Sequence, residues 1–398
     1  MGKKSNSRAR RNVRRKGQVK AERGQVDLPS LSTLTELPAF EDLKPREMQL
    51  HAYEEYCKKA RPGDADTGEL ALGCVVRLDR GFPAVLTDRD VFRAEFAAQL
   101  TKSDYSRVAV GDWVAVRVPE AHEMGLIEAI LPRESDIARW RGGSRGETQT
   151  LAANVDVVLV VQALEEWRLS ASRVARSAVV ARDCRADVAV VLTKADTAGQ
   201  EVIQSAVRLL RDVLGEQCPI AVVASLACDD ASERVLEQAA LDAGASWGVE
   251  SVRDLVPMGK VGIMLGPSGV GKSTLLNALL GREALQTGAV RVSDGAGRHT
   301  TVTRRMVKIP GSGIIVDEPG LRTLQMVGHE RGLAMVFPQI ADAARACRFR
   351  DCTHTHEPGC EVLARFGSGE TNERLRIYLS LAAEMRESAD TLDPDIVL

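Results

Sequence analysis

Two hydrophobic textures divide this chain. Between Leu70 and Leu131 apolar residues come in short β-like runs, Ala71–Leu78, Ala84–Thr87, Val91–Phe96, Asp112–Val118 and Gly125–Leu131. Turn signals such as Arg80-Gly81 and Gly111-Asp112 separate them. Five short strands in so small a segment suit a barrel of the OB type, which often binds RNA, and suit a plain structural barrel equally well. From Asn154 onward the apolar runs are uninterrupted and rich in β-branched residues: Val155–Val161, Asp187–Leu192, Ile220–Ala224 and Val261–Leu265. Helical stretches lie between them, at Ala171–Cys184, Glu201–Leu214 and Lys272–Leu280. Continuous apolar strands alternating with helices predict a mostly parallel sheet covered on both faces. Ligands of such sheets sit beyond the carboxyl ends of the strands. Ahead of both regions, Pro29, Pro38 and Pro45 punctuate a linker, and Glu47 to Lys59 reads as a short helix.

Composition adds bounds to this pattern. A chain of 398 residues holds two or three domains with proper cores. Apolar residues at 44% and charged residues at 27% describe a soluble globular protein. No apolar run approaches the roughly 20 residues of a membrane span, and the basic start lacks the apolar stretch of a signal peptide. Eight cysteines are scattered except for three between Cys347 and Cys360. That distribution predicts a metal cluster in a reducing compartment, the cytoplasm, rather than a disulfide framework.

The net charge of −2 conceals a division. Residues 1–24 hold ten Lys and Arg against one Glu, a net of +9, so the rest of the chain carries −11. Arg10, Arg11, Arg14, Arg15 and Lys16 have no apolar periodicity around them, and the arm is expected to be disordered when free. It reads either as a solubilising tail or as a nucleic-acid arm that releases phosphate counterions on binding. The second reading gains from the acidic body, which alone would repel RNA.

Three motifs follow the apolar runs, where ligand chemistry belongs. The strongest is a phosphate loop, Gly266, Pro267, Ser268, Gly269, Val270, Gly271, Lys272, Ser273 and Thr274, after a strand and opening a helix. Its glycines let backbone N–H groups face phosphate oxygens, the helix N-terminus adds favourable potential, Lys272 reaches the β- and γ-phosphates, and Ser273 ligates Mg²⁺. The loop alone does not choose a base. Ile314 to Pro319 resembles an ABC-type ATPase strand with its catalytic Glu, but no LSGGQ-like signature precedes Asp317. Thr193-Lys194-Ala195-Asp196 points instead to guanine: the Asp196 carboxylate accepts two hydrogen bonds, matching the paired donors that guanine presents and adenine lacks. Lys194 can lay its aliphatic stem along the base. Read alone, such a segment is also an ordinary surface turn after a strand. The order is unusual. The base-reading segment precedes the phosphate loop, and Asp317-Glu318-Pro319-Gly320 comes last, whereas in ordinary GTPases the phosphate loop leads.

These residues resemble the circularly permuted, ribosome-small-subunit-dependent GTPases of the RsgA family. The likeness runs from about Leu70 to the C-terminus, through Val110-Gly111-Asp112-Trp113-Val114, Ala153-Asn154-Val155-Asp156, the TKAD and phosphate-loop segments, Gly297-Arg298-His299-Thr300-Thr301, DEPG and a closing cysteine cluster. It implies a multidomain α/β architecture: a basic arm and linker over 1–66, an OB-type barrel over 67–135, a permuted P-loop GTPase domain over 150–328, and a zinc-binding helical domain over 329–398. It further implies GTP hydrolysis with Mg²⁺, one structural Zn²⁺, and a monomer that partners the small ribosomal subunit and its rRNA without membrane attachment.

The resemblance makes Ser225-Leu226 the backbone contact to guanine, and Asp317 and Gly320 part of the phosphate site. Mg²⁺ then has Ser273, Asp317 and one of Thr300 and Thr301. Thr193 stands where the family has Asn, and Glu318 where a small residue is commoner. Leu321 occupies the position of the water-orienting Gln of Ras-like enzymes and can neither donate nor accept a hydrogen bond. His299 is the candidate to orient water in its place, against a structural or RNA-contacting role, and Arg298 could add charge stabilisation or face solvent. Slow hydrolysis without a partner is the expected consequence.

The closing cluster, Cys347-x4-Cys352-x-His354-x5-Cys360, offers three thiolates and one imidazole, a closed tetrahedral zinc set with no open position and hence structural. His356 competes with His354, which the family spacing favours. Arg345, Arg348, Arg350 and Arg365 lie around it as rRNA contacts or as solvated side chains. Two other function classes stay open at this level: an ABC-like or kinase-like ATP enzyme, and an RNA-binding module with a degenerate nucleotide site. In the permuted order the DEPG turn leads directly into the zinc domain, a short covalent route between nucleotide and RNA contacts.

Overall fold

The computed structural model describes residues 36–60, 68–79, 82–98, 100, 108–118, 124–141, 147–165, 169–224, 229–283, 304–317 and 326–390. The basic arm lies outside them. After a linker and helix α1 (Glu47–Lys59) come β1 (Glu69–Asp79), β2 (Phe82–Leu86), β3 (Val91–Phe96), β4 (Trp113–Val118) and β5 (Met124–Ile130). They pair in the order 1-2-3-5-4 and β4 returns to β1, so the five strands close into the expected OB-type barrel. Val75, Val85, Ala94, Val114, Val116 and Ile127 fill it. On its wall Asp79, almost fully buried, lies between Arg77 and Arg93, with oxygen to nitrogen distances of 2.7 Å to each.

A hairpin of β6 (Asp136–Arg141) and β7 (Glu147–Ala153) follows, which the hydrophobic pattern did not reveal. The second domain runs β8 (Val157–Ala163), α2 (Ala171–Asp183), β9 (Asp187–Thr193), α3 (Gln200–Leu214), β10 (Ile220–Val222), α4 (Asp230–Asp242), β11 (Ser246–Trp247), α5 (Gly248–Leu255), β12 (Val261–Leu265), α6 (Lys272–Leu280), β13 (Arg304–Lys308) and β14 (Ile314–Asp317). Strands 11-10-9-8-12-14 are parallel, as their unbroken apolar runs require, and β13 is antiparallel beside β14. All seven residues of β8 are buried, because helices cover both faces. Val157, Leu159 and Val161 pack with α6, and Val158 and Val160 with α2 and α3.

Barrel and parallel sheet are one sheet. β1 pairs antiparallel with β13 at Arg77↔Arg305 and Leu78↔Arg304, giving twelve continuous strands. A polar joint reinforces the connection. Asn154, in left-handed backbone (φ 55), donates from Nδ2 to the Gly111 carbonyl at 2.8 Å. Its Oδ1 accepts from Gln49 of α1 at 2.8 Å and from the Glu134 N–H at 2.9 Å. Asp156 next to it accepts from Lys260 and from the Val261 N–H, both at 2.8 Å, and pairs with Arg46. This joint moves the start of the first parallel strand to Val157, two residues later than its apolar run suggested.

The C-terminal helices α7 (Glu330–Val336), α8 (Pro338–Arg345), α9 (Glu361–Phe366) and α10 (Glu373–Asp390) pack on α2 and α3 through Phe337, Leu375, Tyr378 and Leu381. Asp183, at the end of α2, accepts the Gly332 N–H at 2.9 Å and so caps α7 from another element, while its second oxygen meets His329 Nδ1 at 2.9 Å. Among the described residues no helix is long and apolar enough to cross a membrane.

Among the described residues, Gln162 of β8, 1% exposed, is the buried side chain left without a hydrogen-bond partner at either polar atom. A buried orphan polar group costs about 1–3 kcal/mol. Gln162→Met keeps the volume and removes both atoms, so it should raise the thermal midpoint by a few degrees. Differential scanning calorimetry checks this, and an unchanged or lowered midpoint would show that the amide is satisfied in solution.

Candidate functional site

The phosphate loop follows β12 directly. A Cβ on Gly266 would stand 2.4 Å from the Val161 carbonyl oxygen, so only glycine lets the loop lie against β8. Gly271 (φ 94) occupies the left-handed position that caps α6, and Val270, 1% exposed, anchors the turn in the core beside Leu275 and Leu276. Ser268, Gly269 and Ser273 face solvent, and Pro267 and Thr274 are half-buried. Lys272 Nζ donates to the carbonyls of Gly266 (2.6 Å) and Pro267 (2.9 Å), holding the loop curled around its ammonium. Curled N–H groups at a helix N-terminus beside a lysine form an anion cradle.

The base-reading segment leaves the end of β9, two strands from β12. Thr193 is buried, and its hydroxyl oxygen lies 2.5 Å from the Val270 carbonyl and 3.2 Å from that of Gln162. A hydroxyl has one proton, and the shorter distance gives it to Val270. The residue that replaces the family's Asn therefore ties the base-reading turn to the phosphate loop. Lys194 takes left-handed backbone (φ 61), a costly conformation for a side chain with a Cβ. The turn is held by Leu164 N–H to Thr193 O (2.9 Å), Ala195 N–H to Val223 O (3.2 Å) and Thr197 N–H to Lys194 O (3.1 Å). Lys194 Nζ meets Glu165 Oε1 at 2.5 Å. Glu165 was not among the residues singled out from sequence; its one signal is a carboxylate just past the end of β8. Asp196 is half-buried on the following single-turn helix.

Asp317 ends β14, the immediate parallel neighbour of β12 (Ile263↔Val316), so its carboxylate and Ser273 open on the same edge of the sheet. That pairing suits a divalent cation beside phosphate oxygens. Arg305 Nε lies 3.9 Å from Asp317, and Arg305 and Arg282 both meet the Glu36 carboxylate, at 3.4 and 3.1 Å. His299, Thr300, Thr301, Glu318, Gly320 and Leu321 lie outside the described residues, as do Arg298, Ser225 and Leu226. The chain enters the last two from Val223, which is bonded to the base-reading turn.

The second site is in the C-terminal domain. Donor atoms of Cys347, Cys352, His354 and Cys360 all lie within 4.8 Å of one another. His354 Nδ1 is 3.5 Å from the sulfurs of Cys347 and Cys360, which are 3.9 Å apart. A tetrahedron with metal bonds of about 2.3 Å to sulfur and 2.05 Å to nitrogen has edges of about 3.8 and 3.5 Å, so this donor set fits zinc. Burial lowers the His354 pKa and keeps the imidazole neutral, the ligating form. His356 is exposed and its Nδ1 meets Thr355 instead. Glu357 organises the intervening turn by accepting from Thr353 Oγ1 and the N–H groups of Thr353, Thr355 and His356. The Thr353 hydroxyl and these N–H groups hold its carboxyl well below the usual range.

Comparison with known proteins agrees with this geometry. Residues 130–327 match the family model described as RsgA GTPase. The chain is 38% identical over 320 residues to a small ribosomal subunit biogenesis GTPase RsgA of Streptomyces avermitilis, covering 80% of each chain. It is 39% identical over 315 residues to that of Streptomyces coelicolor, covering 78% of this chain and 80% of the relative. Among solved structures it is similar to YjeQ from Thermotoga maritima, with a TM-score of 0.56 at 23% identity over 80% of this chain and 99% of that one. It is also similar to YloQ, a circularly permuted GTPase, with a TM-score of 0.54 at 20% identity over 80% of this chain and 96% of that one. Those two likenesses establish the fold.

Two outcomes are expected. Thr193→Val, which removes the hydroxyl and keeps the shape, should weaken guanine-nucleotide binding about tenfold, or about 1.4 kcal/mol, while Thr193→Ser restores it. Titration with a fluorescent GDP analogue measures both, and equal affinities would show the tether to be idle. If the four donors hold zinc, Cys352→Ala should abolish zinc uptake and lower the thermal midpoint of the C-terminal helices, read by metal analysis and circular dichroism.

Proposed function

The chain belongs to the RsgA GTPase family, and from that premise we propose that it binds GTP, docks on the small ribosomal subunit during late maturation, and leaves after hydrolysis. The observation that carries the reading is the bond from Thr193 to the Val270 carbonyl, which joins a guanine-reading turn and a phosphate loop arranged in permuted order. Asp196 accepts from the guanine edge, the Lys194 stem lies along the base, and Ser225 and Leu226 supply backbone contacts. The phosphate-loop N–H groups bind phosphate oxygens, and Lys272 exchanges its two carbonyl partners for the β- and γ-phosphates. Ser273, Asp317 and one of Thr300 and Thr301 hold Mg²⁺, which when bound neutralises phosphate charge.

His299 orients the attacking water, since Leu321 cannot. Leu321 supplies no polar atom to hold that water, so hydrolysis is slow without the small subunit. Cys347, Cys352, His354 and Cys360 hold one Zn²⁺ whose role is to fix the surrounding turns. The barrel, the zinc domain and the basic arm contact rRNA, and the protein acts as a cytoplasmic monomer. Asp317, at the end of the strand beside the phosphate loop, leads through residues 318–325 to the helices of the zinc domain, a short route from γ-phosphate status to RNA affinity.

GTP and ATP turnover, each with and without purified small subunits, tests the reading. Small subunits should accelerate GTP hydrolysis and leave ATP untouched. ATP preference would overturn the assignment, and absent stimulation would leave an RNA-binding module. His299→Ala should lower stimulated turnover by about 10²–10⁴-fold with GDP affinity unchanged, and undiminished turnover would remove His299 from the mechanism.

A further inference from the structure

We propose that Phe349, with Arg348 and Arg350 beside it, is a stacking platform for an unpaired nucleotide of RNA; this rests on the ribosome-binding reading and specifies a contact within it. Aromatic residues make up 4% of the chain, and among the described residues Phe349 is the one aromatic in the set of exposed large apolar side chains, at 41% exposure. It lies between Cys347 and Cys352, two of the four converging donors, so its backbone is held from both sides. The Arg348 N–H donates to the Gly359 carbonyl at 3.2 Å, and its guanidinium carbon lies 5.4 Å from the Phe349 ring centroid, within cation–π reach.

The four arginines around the cluster divide into two kinds. Arg345 is paired with Asp342 (3.0 Å) and Arg365 with Glu361 (2.7 Å). Arg348 and Arg350 are exposed and meet no carboxylate among the described residues. Two cations without a carboxylate partner thus flank the one exposed apolar ring among the described residues. A planar apolar face with adjacent guanidinium groups matches a splayed-out base with its two phosphates. An acidic protein surface would use the arginines but gain nothing from ring planarity. The acidic body repels phosphate elsewhere, which leaves such local cations to define where RNA is met.

The test uses the full chain loaded with zinc and a non-hydrolysable GTP analogue. Binding is measured to a single-stranded RNA oligonucleotide carrying 2-aminopurine, and to purified small subunits by co-sedimentation. Phe349→Ala and Phe349→Leu should each weaken both about tenfold, Phe349→Trp should retain them, and 2-aminopurine quenching should follow the same order. Arg348→Ala with Arg350→Ala should lower the salt slope of oligonucleotide binding by about 1.4–1.8. Zinc content and GDP affinity should not change. Wild-type binding by Phe349→Leu, or a loss in Phe349→Trp equal to that in Phe349→Ala, would overturn stacking. Unchanged RNA binding together with lost affinity for an acidic peptide would assign the surface to a protein and overturn the proposal. If the unaltered protein neither binds small subunits nor responds to them, the ribosome reading fails, while the oligonucleotide arm still decides the platform.

Discussion

Asn154 has both ends of its amide committed, to Gly111 of the barrel on one side and to Gln49 and Glu134 on the other. Its left-handed backbone is costly for any residue but glycine, and asparagine bears that cost best because its short amide bonds locally. Two residues on, Asp156 collects Arg46, Lys260 and the Val261 N–H, so the linker helix, the barrel and the first parallel strands meet within three positions. Each partner is neutralised or hydrogen-bonded, the condition under which a partly buried polar network specifies one arrangement rather than several. Everything distal depends on it. The joint and the β1–β13 pairing together connect the barrel to the parallel sheet.

The nucleotide edge shows a division of labour. The phosphate loop and base-reading turn are mutually locked through core residues, Val270 and Thr193, both 1% exposed. This half is preorganised, which favours binding because less ordering remains to be done when ligand arrives. Arg282 and Arg305 flank the stretch that carries His299, Thr300 and Thr301, and one carboxylate, Glu36, meets both. The half of the edge that the described residues form is thus built into the core.

Strands buried on both faces made the parallel sheet legible through unbroken apolar runs, and the barrel was legible through short β-like runs between turn signals. The loop after β12, the turn after β9 and the four converging Cys and His donors could be picked out in the sequence because each is a fixed set of residue types at short spacing. What stayed hidden was set by distant partners. Asp136–Arg141 and Glu147–Ala153 alternate polar and apolar residues too weakly to stand out, and they form strands because they pair with each other. Arg304–Lys308 is mostly charged and is a strand because β14 and β1 lie on either side of it. Glu165 and Glu36 act on Lys194 and on Arg282 and Arg305 across separations that no local pattern encodes. The arginines around the Cys347–Cys360 cluster read alike in sequence, and only their ion pairs distinguish them.

The continuous sheet has one more effect, on solubility rather than on catalysis. An open parallel sheet ends in two rows of unmet backbone groups that can recruit strands from other molecules. Here one end is consumed by the barrel, whose last strand turns back to pair with β1, and the other is the two-residue strand Ser246–Trp247. Twelve strands therefore finish with almost no free edge among the described residues. The charged strand Arg304–Lys308, unsuited to stacking against a second copy, stands at the seam where separation of the domains would expose one. The barrel serves the sheet as a terminal cap, and a chain that lost it would face its own copies before it faced any partner.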